Sequence, residues 1–360
     1  MGKSLPGSSR AVANWIWLGV GMLLIQVVLG GITRLTGSGL SITEWNVVTG
    51  AIPPLNQQQW LTEFDKYRKT PQFNLLHADF QLSDFKFIFF WEWFHRAWAR
   101  LVGVIFIVGF VWLVWKKQLT GNMIRPLLIL FLLGALQGAV GWIMVQSGLT
   151  GDAIYVEPTR LALHFIFALG LISYAFWFAL TLSVPPKDLH PDKGLARFTW
   201  MIIFFVFFQL LFGALMAGHR AAAAASTWPT INGQWIPASL FREKPAPINL
   251  VENPITIQFV HRGLAYIILA CVLVFFIRAR RITGVSNRFS AGIRFPVAAV
   301  LLQVALGILA VLGSPTIQAN HWGPFEWIAQ AHQVIGMLFL LSLLNVLYLV
   351  RRHKGAIMTH

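Results

Sequence analysis

Four histidines lie a short way inside strongly apolar segments of the chain and form two pairs of nearly equal spacing. They are His95, His164, His261 and His332, with 69 positions from the first to the second and 71 from the third to the fourth. Each pair is separated by one complete apolar segment that has no such histidine. Because an ionisable side chain is costly to bury in a membrane, it marks a functional site by default. Two nitrogen donors on facing helices suit an iron held in a haem, so the sequence predicts two haem sites.

A simpler interpretation is that each histidine packs in a helix bundle and hydrogen-bonds to a neighbour. The repetition of the pattern favours ligation. Zinc fits less well, because structural zinc sites bring four ligands together and neither His164 nor His332 has an Asp, Glu or Cys at ligand spacing. The remaining histidines fall in predicted loops or tails, where we expect them to be solvated: His77, His190, His219, His321, His353 and His360.

One carboxyl group distinguishes the two halves of the chain. Glu92 lies three residues before His95. The corresponding place before His261 is taken by Gln258. Residues three apart share a helix face, so Glu92 points into the same cavity as His95. A carboxyl in an apolar pocket can exchange protons near neutral pH, which predicts chemistry in the N-terminal half and a redox partner in the C-terminal half. The alternative is a structural carboxylate at a helix end.

Basic side chains lie beside these residues. Arg96 and Arg262 follow their histidines directly, and Arg34 and Arg220 close the first apolar segment of each half. Guanidinium and carboxylate groups pair in a bidentate way, so Arg96 and Arg34 are candidates to bind haem propionates. The same side chains can extend to lipid phosphate instead, and the sequence leaves both uses open.

Apolar segments of about 20 residues, the length that spans a bilayer, recur eight times in this chain of 360 residues, 56% of which are hydrophobic. They lie near Asn14–Thr33, Phe85–Trp115, Ile124–Gln146, Arg160–Ser183, Phe198–Gly218, Thr256–Ile277, Phe295–Gly313 and Trp327–Val350. The sequence therefore predicts an all-α polytopic membrane protein with eight transmembrane helices.

The formal charge of +15 is a topology signal and does not indicate nucleic-acid binding. Lys and Arg concentrate in alternate short connections, so the positive-inside rule places both termini in the cytoplasm and the long loops outside. All four histidines then lie toward the outer leaflet. The short polar start, without a cleavage site or an Arg-rich presequence, favours a bacterial inner membrane. Cys271, the only cysteine, lies within the sixth segment, so a disulfide within the chain is excluded.

The second half of the chain repeats the first. Matching residues are Gln26 and Gly30 with Gln209 and Gly213, Gln137 and Gly141 with Gln303 and Gly307, and His95 with His261 at an offset of 166. His164 and His332 follow at an offset of 168. Four spans return the chain to its starting side, so we expect two pseudo-symmetric four-helix bundles, residues 1–190 and 191–360. Such internal repeats are common in membrane proteins.

The predicted outer loop from Arg34 to Ser83 is too long to be a simple connection. Its stretch Gln57–Tyr67 spaces aromatic residues as a helix does, which predicts an interfacial amphipathic helix that caps the N-terminal bundle. A lid without a chemical role is the alternative.

These motifs resemble those of the haem A synthases of the COX15/CtaA type over nearly the whole chain. The most specific are the segment Leu29–Ser41, the Glu92, His95 and Arg96 motif, and Thr227–Pro229 followed by Ile236 and Pro237. The resemblance implies an enzyme that oxidises the ring methyl of haem O to the formyl group of haem A, by successive O₂-dependent hydroxylations, for terminal oxidases. Some bacterial members carry a cysteine pair in the first outer loop. This chain has none, so it is similar to the class nearer the mitochondrial form.

The resemblance also implies roles and partners. His261 and His332 would hold haem b, and the substrate haem would lie between His95 and His164. Glu92 would be catalytic, moving protons or stabilising positive charge at the methyl carbon. The implied partners are haem O and haem A, an electron donor, haem O synthase, cytochrome oxidase assembly proteins and the lipid bilayer, and a homo-oligomer stays open.

Two other functions stay open from the residues alone. A bis-histidine dihaem cytochrome b that transfers electrons explains the four histidines equally well, but it does not explain why Glu92 occurs in one half only. A haem or solute transporter fits the duplication, but the common outer position of all the histidines argues against transit across the membrane.

Overall fold

The computed structural model describes residues 7–45, 49–317 and 322–352. Within these residues the chain forms α-helices, short 3-10 turns and loops, and no β-strand. The helices are α1 (Gly7–Leu35), α2 (Gln57–Tyr67), α3 (Pro71–Leu76), α4 (Leu82–Trp115), α5 (Gly121–Gly148), α6 (Pro158–Ser183), α7 (Lys193–Gly218), α8 (Asn249–Glu252), α9 (Pro254–Ala279), α10 (Asn287–Gly313) and α11 (Pro324–Val350).

In the described part of the chain, eight helices are long and apolar enough to cross a membrane: α1, α4, α5, α6, α7, α9, α10 and α11. Each contains one of the predicted apolar segments, so the prediction of an all-α polytopic membrane protein is confirmed. Most of the helices extend a few residues beyond these segments, and polar side chains cap the starts of α7, α9 and α10. Asp192, for example, accepts a hydrogen bond of 2.8 Å from the main-chain nitrogen of Leu195 at the start of α7.

The helix predicted at Gln57–Tyr67 is confirmed as α2, and it packs on the first turns of α4. The rings of Phe64 and Phe85 stack with their centroids 5.0 Å apart, and those of Trp60 and Phe89 meet edge to face at the same distance. This aromatic cluster explains why α4 continues beyond the predicted apolar segment. The position of α2 at the membrane interface stays a prediction.

Contacts between residues divide the chain into two compact units. One contains Met1–Trp17, Ser173–Pro315 and Ala331–His360, and is called the His261 unit here. The other contains Leu18–Ile172 and Thr316–Gln330, and is called the His95 unit. The division into bundles of residues 1–190 and 191–360 stays a prediction about the repeat.

In the His261 unit, α9 packs against both α7 and α10. Ile202 and Val206 of α7 are almost completely buried, as are Ile268, Val272 and Phe275 of α9. Close packing of these side chains stabilises the helix pair, because packing and not water exclusion drives helix association within lipid. The pairing holds the histidine of α9 against α7.

Candidate functional site

Each of the four histidines packs against a glycine of the preceding span. A Cβ atom added at the glycine would lie within 3.1 Å of the imidazole Cε1 atom in every case. The pairs and distances are Gly30 and His95 (3.0 Å), Gly141 and His164 (2.8 Å), Gly213 and His261 (3.1 Å), and Gly307 and His332 (3.0 Å). The contact at Gly141 is shorter than real Cβ atoms show, and the other three are tighter than most, so a side chain at any of these positions would push its ring aside.

A glutamine one helical turn before each glycine contacts the same histidine. Its amide nitrogen lies between 3.1 and 3.4 Å from a ring nitrogen. The pairs are Gln26 and His95, Gln137 and His164, Gln209 and His261, and Gln303 and His332. The same contact between a histidine and a Gln and Gly of the preceding span therefore occurs four times in the structure. The sequence analysis recognised only that the second half of the chain repeats the first.

The histidines approach each other in pairs within each unit. The rings of His261 and His332 have centroids 6.3 Å apart, and we expect the same approach between His95 and His164, their counterparts in the repeat. Two metal–nitrogen bonds of about 2 Å each, together with the half-widths of two rings, give a separation of the size found for the first pair. The residues therefore fit an iron held between two imidazoles, as in a haem site.

Other metal centres fit these residues less well. In the part of the chain that the structure describes, no group of three or more His, Cys, Asp or Glu side chains could hold a metal ion, whereas zinc sites take three or four protein ligands. Buried polar atoms without a partner lie beside the histidines: Oε1 of Gln26, Gln137, Gln209 and Gln303, and Nδ1 of His332. Buried polar atoms normally have partners, so these atoms mark the histidine sites as places where a further group binds.

Glu92 lies ten residues inside α4, not at a helix end, and both of its carboxylate oxygens are bound. Oε2 accepts hydrogen bonds from the Ser41 hydroxyl at 2.7 Å and from the main-chain nitrogen of Ile42 at 2.9 Å. Oε1 accepts from the guanidinium of Arg96 at 2.5 Å. The prediction of apolar surroundings for this carboxyl is therefore wrong. The loop after α1 surrounds it with donors, and charge-assisted hydrogen bonds of this kind stabilise a carboxylate.

Gln258 is the counterpart of Glu92 in the His261 unit, and it contacts its loop as a hydrogen-bond donor instead of an acceptor. Its amide nitrogen donates to the carbonyl oxygen of Ala221 at 2.8 Å, just after α7. Its amide oxygen is buried without a partner. The two positions therefore share a place in the fold, but Glu92 accepts from its loop where Gln258 donates. The carboxylate is the chemical difference between the two units that the sequence predicts.

The arginines beside the histidines hold main-chain carbonyl groups of the same loops. Arg96 donates to the oxygens of Ile42 and Glu44 at 3.3 and 3.2 Å. Arg262 donates to two carbonyl oxygens of the equivalent loop, both at 3.2 Å. Arg34 lies half-buried in the last turn of α1. The contacts of Arg96 are a use that the sequence did not suggest, and a propionate contact for either Arg96 or Arg34 stays a prediction.

A second polar cluster lies under α2, and it corrects the prediction for His77. That residue is 4% exposed rather than solvated, and its Nδ1 atom lies 2.6 Å from the hydroxyl of Tyr67. The same hydroxyl donates to Oε1 of Gln72 at 3.0 Å. Burial raises the pKa of Tyr67, and the negative charge of Glu92 raises it further. The cluster therefore lies within electrostatic reach of the carboxylate.

Two of the other loop histidines lie within the described residues, and both are half-buried and hydrogen-bonded, so their predicted solvation is wrong. His190 accepts a hydrogen bond of 3.1 Å from the main-chain nitrogen of Ser286. His219 donates from Nε2 to the carbonyl oxygen of Val251 at 2.6 Å. Three more lie outside the described residues: His321, His353 and His360.

The chain matches the cytochrome oxidase assembly protein family COX15-CtaA over residues 13–344. The chain belongs to this family. It is 41% identical over 343 residues to the haem A synthase of Rhodospirillum centenum, covering 95% of this chain and 89% of the relative. The haem A synthase of Paracoccus denitrificans is 40% identical, with 94% and 87% covered. That of Cereibacter sphaeroides is 37% identical, with 95% and 88% covered. The family resemblance predicted from the motifs is confirmed.

In this member of the family, the two histidine sites differ in the chemistry that they offer. In the unit of His95 and His164, Glu92 is a buried carboxylate that is tied to a loop. Beside His261 and His332, the corresponding side chain is an amide, which has no proton to exchange near neutral pH. The second site therefore has no acid or base at this position, and the division of labour between the two sites stays a prediction.

Proposed function

We propose that this chain is a haem A synthase, an oxidoreductase that converts the ring methyl of haem O into the formyl group of haem A by successive O₂-dependent hydroxylations. The observation that carries the proposal is the unequal pair Glu92 and Gln258 beside otherwise similar histidine sites. Relatives that carry the name haem A synthase over most of their length support the same reaction.

In this proposal the two units hold different haems. His95 and His164 bind haem O as substrate, and His261 and His332 bind haem b. Bound haem b supplies a one-electron redox centre. Each histidine pair contributes two imidazole nitrogens, and the glycines packed against the rings fix the direction in which they point. The apolar spans around them exclude water from the reacting methyl group.

Glu92 is the catalytic residue in this proposal. Two hydroxylations turn the substrate methyl into a geminal diol, which loses water to leave the formyl group. That loss needs a group that takes a proton from one hydroxyl and passes it to the other, which then leaves as water. A carboxylate offers about four acceptor sites, and Arg96, Ser41 and Ile42 fill three of them. One site therefore stays open for a substrate hydroxyl.

The arginines have separate roles in binding the substrate haem. Arg96 acts through Glu92 and the loop that it holds. Arg34, half-buried at the end of α1, would pair with a propionate, because a guanidinium matches a carboxylate in a bidentate way. Charge pairing of this kind fixes orientation as well as affinity.

The eight apolar helices place the chain in a lipid bilayer. We assign it to a bacterial inner membrane with both termini in the cytoplasm, on the strength of the charge distribution. The reaction needs an electron donor, a source of haem O and a recipient of haem A. We propose haem O synthase and cytochrome oxidase assembly proteins for the last two roles.

Haem extraction tests the proposed function. The protein is expressed in a bacterium that makes haem O, purified, and its pigments are extracted and resolved by mass. We expect haem O and haem A beside haem b. The Glu92→Gln variant is the matched control, and it should keep haem b and haem O but lose haem A. Haem b alone, at two per chain in both proteins, would favour a dihaem electron-transfer cytochrome b and refute the synthase.

A further inference from the structure

We propose that a groove in the His95 unit, on the side of the histidines away from α2, binds the farnesyl tail of haem O. Four glycines keep this groove open: Gly19 of α1, Gly103 of α4, and Gly134 and Gly138 of α5. This inference rests on the proposed function, because it takes His95 and His164 as ligands of haem O. It adds the residues that select a haem with a tail over haem b, which has none.

On α5, two glycines continue the helix face that meets the histidine site. Gly134 and Gly138 lie seven and three residues before Gly141, which contacts His164, and positions with this spacing share one face. A Cβ atom added at either glycine would have no neighbouring atom within 4 Å. Both glycines are exposed, whereas Leu130, further along the same face, is 7% exposed. The face is therefore open beside the histidine and closes at Leu130.

Two other spans of the unit have glycines at a similar depth. Gly19 lies eleven residues, about three turns, before Gly30 of α1, and Gly103 lies eight residues after His95 of α4. Successive spans run in opposite directions, so both lie on the same side of the histidines as the glycines of α5. A Cβ atom added at Gly19 or Gly103 would also have no neighbour within 4 Å. The helix period therefore puts open positions of three helices around one space.

The His261 unit is filled at the same four places. The counterparts in the repeat are Ile202 for Gly19, Leu269 for Gly103, Val300 for Gly134 and Val304 for Gly138, at the offsets that align the histidine and glycine contacts of the two units. Ile202 and Val300 are 0% and 2% exposed. Branched apolar side chains thus take up the space that glycines leave open in the other unit.

The packing of the spans differs between the units in the same way. No residue is buried in residues 93–112 of α4 or in residues 131–144 of α5. The corresponding stretch of α9 buries Ile268, Val272 and Phe275, and that of α10 buries Ala299 and Val300. The side chains of α4 and α5 therefore leave room for an apolar group where those of α9 and α10 pack against their neighbours.

A farnesyl tail is the occupant that fits this groove. Haem O carries a hydroxyethylfarnesyl group where haem b has a vinyl group, so a haem held by His95 and His164 must place that chain beside its ring. From Gly141 to Leu130, the open face of α5 is about 16 Å long at 1.5 Å per residue. Small residues on membrane helices let another apolar group approach closely. The unit that binds haem b has no such chain to hold, and its groove is filled.

The experiment measures which haem the His95 unit takes up when no reaction can occur. The protein is purified from a bacterium that makes no haem O and incubated with equal amounts of ferric haem O and ferric haem b, without a reductant. Unbound haem is removed, and the bound pigments are resolved by mass. We expect the wild-type protein to prefer haem O by about tenfold or more, since even one methylene in an apolar pocket changes binding by about that factor.

Two sets of variants locate the groove. Gly134→Val combined with Gly138→Val copies the valines of the His261 unit, and the added Cβ atoms meet nothing within 4 Å. This double variant should lose the preference for haem O by about tenfold or more, while the haem b of the His261 unit stays bound. Gly21→Val is the matched control, because Gly21 is equally open but lies nine residues before Gly30, on the opposite face of α1. It should keep the wild-type preference.

The outcomes separate the inference from the proposed function. If the double variant keeps the wild-type preference for haem O, the tail site is overturned and the ligand assignment stands. The same holds if only the oligomeric state changes, since the glycines would then form a contact between copies. If His95→Ala takes up as much haem O as the wild type, the ligand assignment itself fails. Should the double variant not fold, Gly103→Leu, which copies Leu269, decides, and an unchanged preference overturns the inference.

Discussion

Ser41 donates its hydroxyl to Oε2 of Glu92 across 2.7 Å, which joins a loop residue to a carboxylate 51 positions further along the chain. Each residue is only 2% exposed. The contact fixes the carboxylate against the loop after α1, beside the main-chain nitrogen of Ile42. Since a hydroxyl both donates and accepts, Ser41 can hold the carboxylate and still accept a hydrogen bond from a substrate hydroxyl.

We expect Ser41→Ala to slow haem A formation about 10- to 100-fold, because a hydrogen bond to a charged group contributes about 1.5–3 kcal/mol. Haem A per haem b, resolved by mass after expression, gives the measurement. Ser38→Ala is the matched control, since Ser38 is equally buried in the same loop but bonds to Thr36. Equal haem A yields from the two variants would remove Ser41 from the site.

Replacing Glu92 with Gln should abolish most haem A production, with a fall of about 10²- to 10⁴-fold, the usual contribution of a general acid or base. Haem b should remain, because its ligands lie in the other unit, and the geminal diol that Glu92 would otherwise dehydrate should accumulate. Glu326→Gln removes another buried carboxylate, one that accepts from Gly323, and should leave haem A near the wild-type yield. Near-normal haem A from Glu92→Gln would make Glu92 structural.

His261→Ala and His332→Ala should each reduce bound haem b, because each removes one of the two imidazoles whose centroids lie 6.3 Å apart. The visible spectrum of the purified protein reports the loss of bis-imidazole ligation. His190→Ala serves as the control, since this histidine bonds to the start of α10 and should leave the spectrum unchanged. Full bis-imidazole spectra in both ligand variants would contradict the assignment.

Hydropathy was enough to predict the spans, because a membrane helix must be apolar along about 20 residues whatever it packs against. Glu92 was also found from sequence, since its spacing from His95 needs only the helix period. Its partner Ser41 could not be found in this way. That contact depends on the path of a loop, and no local pattern encodes which loop atoms reach the carboxylate.

The four glutamines were recognised in the sequence as matching residues of the repeat, but their contacts with the histidines could not be predicted there. Gln26 and Gln209 marked the duplication, yet their contact with a histidine depends on the rotation of neighbouring helices. The recurrence of a glutamine four residues before a glycine in α1, α5, α7 and α10 was the available signal. His77 was predicted to be solvated because a polar loop surrounds it in sequence, and the aromatic cluster of α2 and α4 buries it instead.

The cap should loosen when the Tyr67 hydroxyl is removed or ionised. Tyr67→Phe removes the hydroxyl that contacts His77 and Gln72, at a cost of about 1–3 kcal/mol, so protease cleavage within residues 49–81 should speed up. Because burial raises the pKa of Tyr67, the neutral phenol stabilises the cap fully below about pH 10, the unfolded value, and this stabilisation is lost as pH rises further. The variant should lack that pH-dependent part. Equal cleavage rates at pH 8 would contradict the role of the cluster.

Topology is tested by cysteine labelling in a Cys271→Ala background, which removes the only native thiol. The charge distribution puts α2 and the loop after α7 outside the cell and the connection between α9 and α10 inside. Three exposed positions report on these segments: Thr62, Gln234 and Thr283. Thr283 is preferred to Ser286, because the Ser286 hydroxyl caps α10. A membrane-impermeant thiol reagent, added to cells with any outer membrane permeabilised, should label the first two positions, and Thr283→Cys should react only after lysis.

Because each histidine lies in the first half of its helix, this result would put both haem sites in the outer half of the bilayer. The reverse pattern would invert the protein and place the haems next to the cytoplasm.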